Sequence, residues 1–442
     1  MSKIINGRPT KSLFIDALTK DIELIDAVGD LVDNSADAAF RLKGKAAYAG
    51  LYVKISLSSK SFTIEDNCGG IALKTAKDIA FRLGRPTGVN ATAGLIGRYG
   101  IGMKRAFFKI GRDIIVESYT STSHLKVPIN IDAWRKDDSD KWDFKATVFK
   151  TKMVNPPEKI GTRIAITNLN DEIANEIVTP RFAATLVETL QTKHKQLMTN
   201  GLEIMVNSQR IIPEPFELKI SDHIVPTFFH ESVNGTASPL DIKIVAGVGE
   251  SDAKEAGWYI CCNGRFILEA DQTIRTGWGE VGDKISIPKS HHQFARFRGF
   301  VFFECDDPSR IPWNSTKTGI DMENPDYKRV RKHMIAATRP VIDFLNNVDA
   351  EQDLDAQPLT EALKVASSTA IAVILQGLTQ NRSFTGVGLR ENIDPNRPVR
   401  ISYQKPLKQV KDVRDRLGVD TNREVGLKTF EYYYEFELGK KS

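Results

Sequence analysis

The spacing of apolar residues in the first part of the chain alternates between helical and strand periods. Helical spacing covers residues 11–40 and 103–110, and a Gly/Thr-rich stretch over 84–102 precedes the second helix. The strands predicted around these helices span residues 51–57, 62–65, 113–118, 144–150 and 161–168. The order of helix, strands, loop, helix and strands predicts an α/β sandwich with helices on one face of a mixed sheet.

The second half of the chain predicts another α/β unit and a helical tail. A connecting helix over 182–198 begins this unit, and a helix over 325–348 ends it. The strands predicted between these helices span residues 202–206, 242–248, 258–268 and 298–304. An apolar helix over 359–378, a polar connector over 380–400 and two short helices divided at Gly418 follow. We therefore expect three domains, over residues 1–177, 178–350 and 351–442.

Composition and charge narrow the class of protein only slightly. A chain of 442 residues is longer than one ordinary core requires. The net charge of +5 permits contact with nucleic acid but does not argue for it. The N-terminus lacks the apolar run of a signal peptide, and the most apolar stretch, 366–378, is too short to span a bilayer. We expect a soluble cytoplasmic protein without a membrane partner.

The four cysteines argue against a structural metal site. Cys68, Cys261, Cys262 and Cys305 show no C-x-x-C or Cys/His spacing, so we expect no structural zinc. They are predicted to be reduced and packed as small apolar residues.

The strongest polar pattern lies on the first helix, in the sequence DLVDNSADA over 30–38. Asp30, Asn34 and Asp37 are spaced i, i+4 and i+7, so they form one stripe on a helix whose other face is apolar. Carboxylate and amide oxygens in such a stripe suit Mg²⁺ and the positioning of water. Taken alone, the stripe is equally typical of a solvated helix face.

Two turns at strand ends add residues that can contact a planar ligand. In IEDNCGGI, over 64–71, Asp66 ends a strand and precedes a pair of glycines that closes with Gly70. The glycines allow close approach of the backbone, and the carboxylate can accept a hydrogen bond from the exocyclic amine of adenine. Gly161 and Thr162 begin a later strand. Each turn alone is also typical of ordinary turns.

A glycine-rich segment, GRYGIGMKR over 97–105, leads into the second helix. The segment predicts an anion site, formed by backbone N–H groups at Gly97, Gly100 and Gly102, by the helix dipole and by Lys104. No Gly-Lys-Ser/Thr occurs, so this is not a Walker A loop, and the glycines do not follow a strand as in the dinucleotide-binding fingerprint.

In this order, the four patterns resemble the ATP-site boxes of the GHKL superfamily, which includes gyrase B subunits, heat-shock chaperones, histidine kinases and MutL. The resemblance covers roughly residues 20–170, and LVDNSADA and GRYGIGMK look closest to MORC-type and MutL-type members. It implies a two-layer Bergerat-type ATP-binding sandwich, a transducer-like α/β domain, a small helical C-terminal region, and ATP and Mg²⁺ as cofactors.

The resemblance also implies roles for the matching residues. Asn34 would coordinate Mg²⁺, and Asp37 would belong to the same cofactor site. Asp66 would bind the adenine amino group, Gly70 would line the base pocket, and Thr162 would support Asp66 through water. The lid over the phosphates would consist of Gly97, Gly100, Gly102 and Lys104.

Two positions depart from the family pattern. Asp30 stands where these ATPases usually carry a glutamate as the general base for the attacking water, and Cys68 stands where many place a first glycine. Aspartate is shorter by one methylene, and a displacement of about 1 Å can cost on the order of 10²-fold in rate. We therefore expect either a slow ATPase or a nucleotide binder that hardly hydrolyses, unless a backbone shift or a water restores the reach.

A polar loop before the 325–348 helix, WNSTKTG over 313–319, resembles the transducer loop whose lysine reaches the γ-phosphate. Lys317 would then distinguish ATP from ADP and neutralise developing charge; the alternative is a surface lysine in a turn. Transducer-like strands are also expected over 201–213 and 258–266, the latter with a hairpin turn at Asn263-Gly264.

Two functions remain open from the sequence, and a kinase or a chaperone is less favoured. The first is an ATP-dependent conformational clamp that forms a homodimer and engages DNA or a DNA-acting protein, in bacterial repair or antiviral defence. The second is a non-hydrolysing nucleotide-dependent binding module. A histidine kinase is disfavoured, because the first histidine, His124, follows Asn34. The C-terminal helices favour docking or dimerisation over DNA reading, although basic residues occur at Lys289, His291, His292, Arg296 and Arg298 and from Arg397 to Arg416.

Overall fold

A computed structural model of the chain describes most of its residues. The described residues are 10–20, 22–44, 47–84, 96–97, 100–137, 139, 141–235, 238–280, 287–314, 317–351, 356–386, 401 and 403–437. The chain divides into two compact units, Met1–Leu389 and Arg390–Ser442. The domain boundaries at 177 and 350 stay predictions.

The first unit alternates helices and strands along its whole length. Its helices are α1 (Lys11–Lys20), α2 (Leu24–Lys43), α3 (Leu73–Thr75), α4 (Gly102–Ile110), α5 (Ile131–Lys136), α6 (Asp171–Glu176), α7 (Pro180–Lys193), α8 (Lys195–Thr199), α9 (Pro325–Ala350), α10 (Pro358–Val365) and α11 (Ile371–Gly377). Its strands are β1 (Tyr52–Leu57), β2 (Ser61–Asp66), β3 (Gly111–Tyr119), β4 (His124–Asn130), β5 (Val148–Lys150), β6 (Gly161–Leu169), β7 (Glu203–Val206), β8 (Gln209–Arg210), β9 (Glu217–Ile220), β10 (Thr227–Val233), β11 (Leu240–Val248), β12 (Gly257–Cys262), β13 (Arg265–Asp271), β14 (Phe297–Cys305) and β15 (Ser367–Ala370).

The first sheet has eight strands in the order β5-β4-β3-β6-β2-β1-β7-β8. It is mixed, since β1 and β7 are parallel while β1 and β2 are antiparallel. Helices α2 and α4 contact each other and share one core with the sheet, in which Val28 and Phe107 are buried with Ile64 and Ile166. The predicted α/β sandwich is confirmed, with β4 as a strand that the pattern did not predict.

The second sheet has five strands in the order β10-β11-β14-β12-β13. Asn263 and Gly264 join β12 to β13, and both have positive φ, 48° and 84°, as this two-residue hairpin turn requires. The long helix α9 packs against β11 and β14. The hairpin turn and the helix that begins at Pro325 are therefore confirmed.

Three predicted helices are interrupted. The helix over 11–40 is divided into α1 and α2 because Glu23 has extended backbone, φ −78° and ψ 157°. The helix over 182–198 becomes α7 and α8 at His194. The helix over 359–378 is wrong in its middle: Ser367–Ala370 forms β15, which pairs with β9. Serine and threonine are weak helix formers, so an available strand edge outweighs the apolar pattern.

The cysteines, Arg298 and the length of the apolar helices can be compared with the predictions from the sequence. All four cysteines are free and buried, as predicted. Arg298 does not belong to a solvated basic patch, because it is 4% exposed and donates to the carbonyl oxygens of Ala295, Phe297 and Glu250. No helix in the described ranges is long and apolar enough to cross a membrane.

The second unit contains the two short helices predicted around Gly418. These are α12 (Leu407–Leu417) and α13 (Asn422–Tyr432). Gly418 ends α12 in the left-handed conformation, with φ 62°. Thr421 and Glu424 form a capping box at the start of α13. Most of the predicted connector, residues 387–400, lies outside the described residues.

Candidate functional site

One cavity brings together nearly all the predicted site residues. Its volume is about 180 Å³, and its walls come from α2, β2, β6 and the segment that leads into α4. The predicted residues that line it are Asp30, Asn34, Asp37, Asp66, Gly97, Gly100, Gly102, Lys104, Thr162 and Lys317. Lys317 is far in sequence from the other residues, which lie between Asp30 and Thr162, and folding brings it to the same cavity.

Gly70 is the exception, and its place in the base pocket stays a prediction. It is not among the described residues that line the cavity, whereas its neighbour Ile71 is. A Cβ at Gly70 would lie 2.1 Å from the carbonyl oxygen of Tyr119, and its φ is 75°. Glycine is therefore required here for close packing on β3.

Asp66 provides a buried acceptor beside apolar walls. The Ser35 hydroxyl donates to Asp66 Oδ2 at 2.8 Å, and the Cys68 N–H donates to Oδ1 at 2.9 Å. Burial raises the pKa of Asp66, although these hydrogen bonds oppose the shift. Ile64 and Ile164 line the cavity nearby in the β2–β6 pair. An acceptor beside two isoleucines suits a planar heterocycle that carries an amino group.

Ser118 on β3 organises the turn opposite Asp66. Its hydroxyl accepts from the Ile71 N–H at 2.7 Å, donates to the Gly161 carbonyl at 3.1 Å, and lies 3.0 Å from Thr162 Oγ1. Thr162 is paired with Asp66 in the β2–β6 register, and the Ser118 hydroxyl contacts its side chain. Its predicted action through water stays a prediction.

Asn34 lines the cavity with its side-chain amide. Its Nδ2 atom is buried and has no hydrogen-bond partner among the described residues. Leaving such a group unpaired costs on the order of 1–3 kcal/mol. No group of three or more His, Cys, Asp or Glu residues in the described ranges could hold a metal ion by itself. The Nδ2 atom can only donate, for example to a phosphate oxygen, so the atom that could bind a cation is Oδ1. Asn34 fits Mg²⁺ only if the remaining ligands are phosphate oxygens and waters.

Asp37 fastens the glycine segment to α2. Its two carboxylate oxygens accept the N–H groups of Ile96 at 2.6 Å and Gly97 at 2.9 Å. A Cβ at Gly97 would lie 2.8 Å from Asp37 Oδ2, so a larger residue would crowd this contact. Burial raises the pKa of Asp37, and the hydrogen bond from Ile96 opposes the shift. In this structure Asp37 anchors the segment, and its role toward a cofactor stays a prediction.

Lys104 lies in the first turn of α4, with its amine turned to backbone carbonyls. Its Nζ donates to the Ala80 oxygen at 2.9 Å and to the Gly100 oxygen. The residue is only 2% exposed, and burial lowers the pKa of its amine to about 7. An anion in the cavity would reverse this shift by stabilising the charged form.

Asp30 is engaged by two cations. Its Oδ2 accepts from Arg105 Nε at 3.2 Å and from Arg105 Nη2 at 2.5 Å. Its Oδ1 lies 3.7 Å from Lys317 Nζ. The carboxylate is 3% exposed and packs closely on Gly102, where a Cβ would lie 3.1 Å from Asp30 Cγ. A water that approaches Asp30 must therefore compete with a guanidinium.

Asp33, one position before Asn34, is surrounded by cationic and polar groups from distant parts of the chain. Lys317 Nζ lies 2.7 Å from Asp33 Oδ2, Arg265 binds the same oxygen, and His194 Nε2 lies 3.0 Å from Oδ1. Burial opposes ionisation of Asp33, yet Arg265, Lys317 and His194 hold its pKa well below the ordinary value. Burial lowers the pKa of His194, so the neutral ring donates its Nε2–H.

The part of the chain that contains most of the cavity residues matches a known protein family. Residues 22–162 match the family of histidine kinase-, DNA gyrase B- and HSP90-like ATPases. The N-terminal part is a GHKL-type ATPase domain. No curated protein matches the chain. The family match includes the cavity residues from Asp30 to Thr162, whereas Lys317 lies outside it.

The GHKL-type domain contains site residues that sequence reasoning gave no role. Arg105 and Ser35 lie inside the motifs, but only the folded contacts show that they face Asp30 and Asp66. Asp33 also lies inside a motif, and its partners His194 and Arg265 carry no local signal. The adjacent positions in DLVDNSADA thus serve two purposes: Asn34 faces the cavity, while Asp33 joins α2 to later elements.

Proposed function

We propose that this chain binds Mg²⁺-ATP in the cavity, hydrolyses it slowly, and uses it to control a conformational clamp. The observation that carries the proposal is that Asp66, Asn34 and Lys317 line one cavity, two of them within the GHKL-type domain. Domains of this type bind ATP and typically Mg²⁺, so ATP is the ligand that the domain indicates.

Each side chain has a task that follows from its surroundings. Asp66 accepts a hydrogen bond from the adenine amino group. Protein donors to both of its oxygens fix the orientation of the carboxylate, and each oxygen can accept more than one hydrogen bond. The N-terminal end of α4, which begins at Gly102, presents its first backbone N–H groups to the phosphates. Asn34 would hold Mg²⁺, which supplies positive charge to the phosphates when bound. Lys317 contacts the γ-phosphate and so distinguishes ATP from ADP.

Hydrolysis requires Asp30 to orient and deprotonate the attacking water. Arg105 donates to Asp30 Oδ2, and Lys317 Nζ lies 3.7 Å from Oδ1. The carboxylate must give up part of this pairing before a water can reach it, and its side chain is one methylene shorter than glutamate. Both features favour slow turnover.

The same ion pair supports a second candidate, a nucleotide-dependent binding module that does not hydrolyse ATP. Mg²⁺-dependent release of phosphate separates the two candidates. Slow hydrolysis predicts that Asp30→Ala lowers the release rate below that of the unmodified chain. Equal rates for the two proteins, with ATP binding retained, would favour the binding module.

The clamp is proposed from the contacts of Asp33. This residue of α2 in the ATPase domain binds Arg265 on β13 and Lys317 in the loop before α9. A nucleotide that draws Lys317 toward its γ-phosphate therefore changes the contact between α2 and the loop before α9. Binding of ATP would in this way favour one of two arrangements of these elements.

The proposed assembly is a homodimer that engages DNA or a DNA-acting protein, in repair or antiviral defence. Its support is the resemblance of LVDNSADA and GRYGIGMK to MORC-type and MutL-type members. Light scattering with and without a non-hydrolysable ATP analogue tests the dimer, with Asn34→Ala as the control that should lose the effect of Mg²⁺ on nucleotide binding. Salt-dependent retention on DNA tests the client. No retention at low salt, with or without the analogue, would refute the DNA proposal.

A further inference from the structure

We propose that Arg105 is a further phosphate-binding residue of this site, which Asp30 holds in place until the nucleotide arrives. The inference rests on the proposed binding of ATP and adds to it a cation from within the ATPase domain. It also assigns Asp30 a second task, as the resting partner of that cation.

The position of Arg105 supports this role. It lies in the first turn of α4, lines the cavity and is 7% exposed. Its Nε and Nη2 atoms both bind Asp30 Oδ2, while Lys317 Nζ lies 3.7 Å from the other oxygen of that carboxylate. Arg105 is therefore separated by a single carboxylate from the lysine proposed to contact the γ-phosphate.

The chemistry of Arg105 requires an anion at this place. A cation in the first turn of a helix opposes the helix dipole, and a buried guanidinium without a partner is strongly destabilising. Asp30 supplies the anion in the free protein. A phosphate group supplies an anion when ATP is bound, and the planar guanidinium fork matches its oxygens in the same way as it matches a carboxylate.

The exchange of partners would also free the base. Within the described ranges, Asp30 forms ion pairs with Arg105 and Lys317. If both cations turn to the phosphates, the carboxylate is left to face the attacking water. Asp33 differs, because Arg265 and His194 keep it paired after Lys317 has moved. The site can therefore release Asp30 without leaving a second buried carboxylate unpaired.

The experiment measures the dissociation constants of Mg²⁺-ATP and Mg²⁺-ADP for Asp30→Asn and for the double variant Asp30→Asn with Arg105→Gln. Both members of the ion pair are neutral in the double variant, so no unpaired buried charge remains. We expect the double variant to bind ATP at least roughly tenfold more weakly than Asp30→Asn, with a smaller change for ADP. Adding Arg105→Lys instead of Arg105→Gln should restore part of the ATP affinity.

Arg112→Gln is the matched control, since it removes an arginine that pairs at the surface with Asp132 and does not line the cavity. It should leave both constants unchanged. Equal ATP affinities for Asp30→Asn and the double variant, or equal losses for ATP and ADP, would overturn the assignment of Arg105. Failure of the unmodified chain to bind ATP would instead refute the proposed function itself, and this inference with it.

Discussion

The substitution Asp33→Asn tests whether α2 is joined to the later elements through a buried charge cluster. Asp33 and Arg265 are each 1% exposed, and Asp33 also holds Lys317 at 2.7 Å. Removing one partner of a buried ion pair leaves an uncompensated charge and costs on the order of 3–5 kcal/mol. We therefore expect Asp33→Asn to lower the free energy of unfolding of the first unit by about that amount.

Asp26→Asn is the matched control, because it makes the same change on the same helix. Asp26 binds Lys193 at 2.7 Å, but both side chains are about one-fifth exposed, 23% and 20%. A partly solvated pair of this kind contributes only ~0–1 kcal/mol.

The assay is urea unfolding followed by tryptophan fluorescence. All five tryptophans lie in the first unit, so the signal reports on that unit. The reasoning predicts a clearly larger loss for Asp33→Asn than for Asp26→Asn. Equal losses, within about 1 kcal/mol, would refute the claim that the Asp33 cluster joins these elements.

The remaining predictions concern Lys317, Lys104 and Gly70. Lys317→Ala should weaken ATP binding by roughly tenfold and leave ADP binding nearly unchanged, as measured by calorimetry; equal losses would contradict its contact with the γ-phosphate. The pKa of Lys104 is about 7 in the free protein and rises beside phosphate, so ATP binding should take up protons between about pH 7 and 10, and affinity should fall as pH rises through that range. Calorimetry in two buffers of different ionisation enthalpy measures this uptake, which should vanish in Lys104→Met. Gly70→Ala should lower thermal stability, because its Cβ would lie 2.1 Å from the Tyr119 oxygen; an unchanged melting temperature would refute a packing role.

The sequence predicted the parts of the site that depend on local spacing. Asp30, Asn34 and Asp37 lie on one helix, and helical periodicity alone places them on neighbouring turns. The hairpin at Asn263-Gly264 was likewise predictable, because few residues tolerate two successive positive φ angles.

The sequence could not predict contacts between distant segments. The partners of Asp33 are 161, 232 and 284 residues away, at His194, Arg265 and Lys317. No periodic pattern relates such positions, since only the packing of complete elements brings them together. Strand β15 was missed for the same reason, because its residues pair with β9, far earlier in the chain.

The function of Asp37 shows a different limit. Its spacing with Asn34 predicts a place in the cofactor site, which stays a prediction. The structure adds that both its oxygens accept backbone N–H groups, from Ile96 and Gly97. Sequence spacing gives the face of a helix, and it does not give the partner that approaches that face.

Equilibrium binding of ATP to the full chain, with and without Mg²⁺, tests the central claim most directly. The account predicts saturable binding that Mg²⁺ strengthens, a loss of that strengthening in Asn34→Ala, and a loss of preference for ATP over GTP in Asp66→Asn. The absence of ATP binding when Mg²⁺ is present would contradict the account.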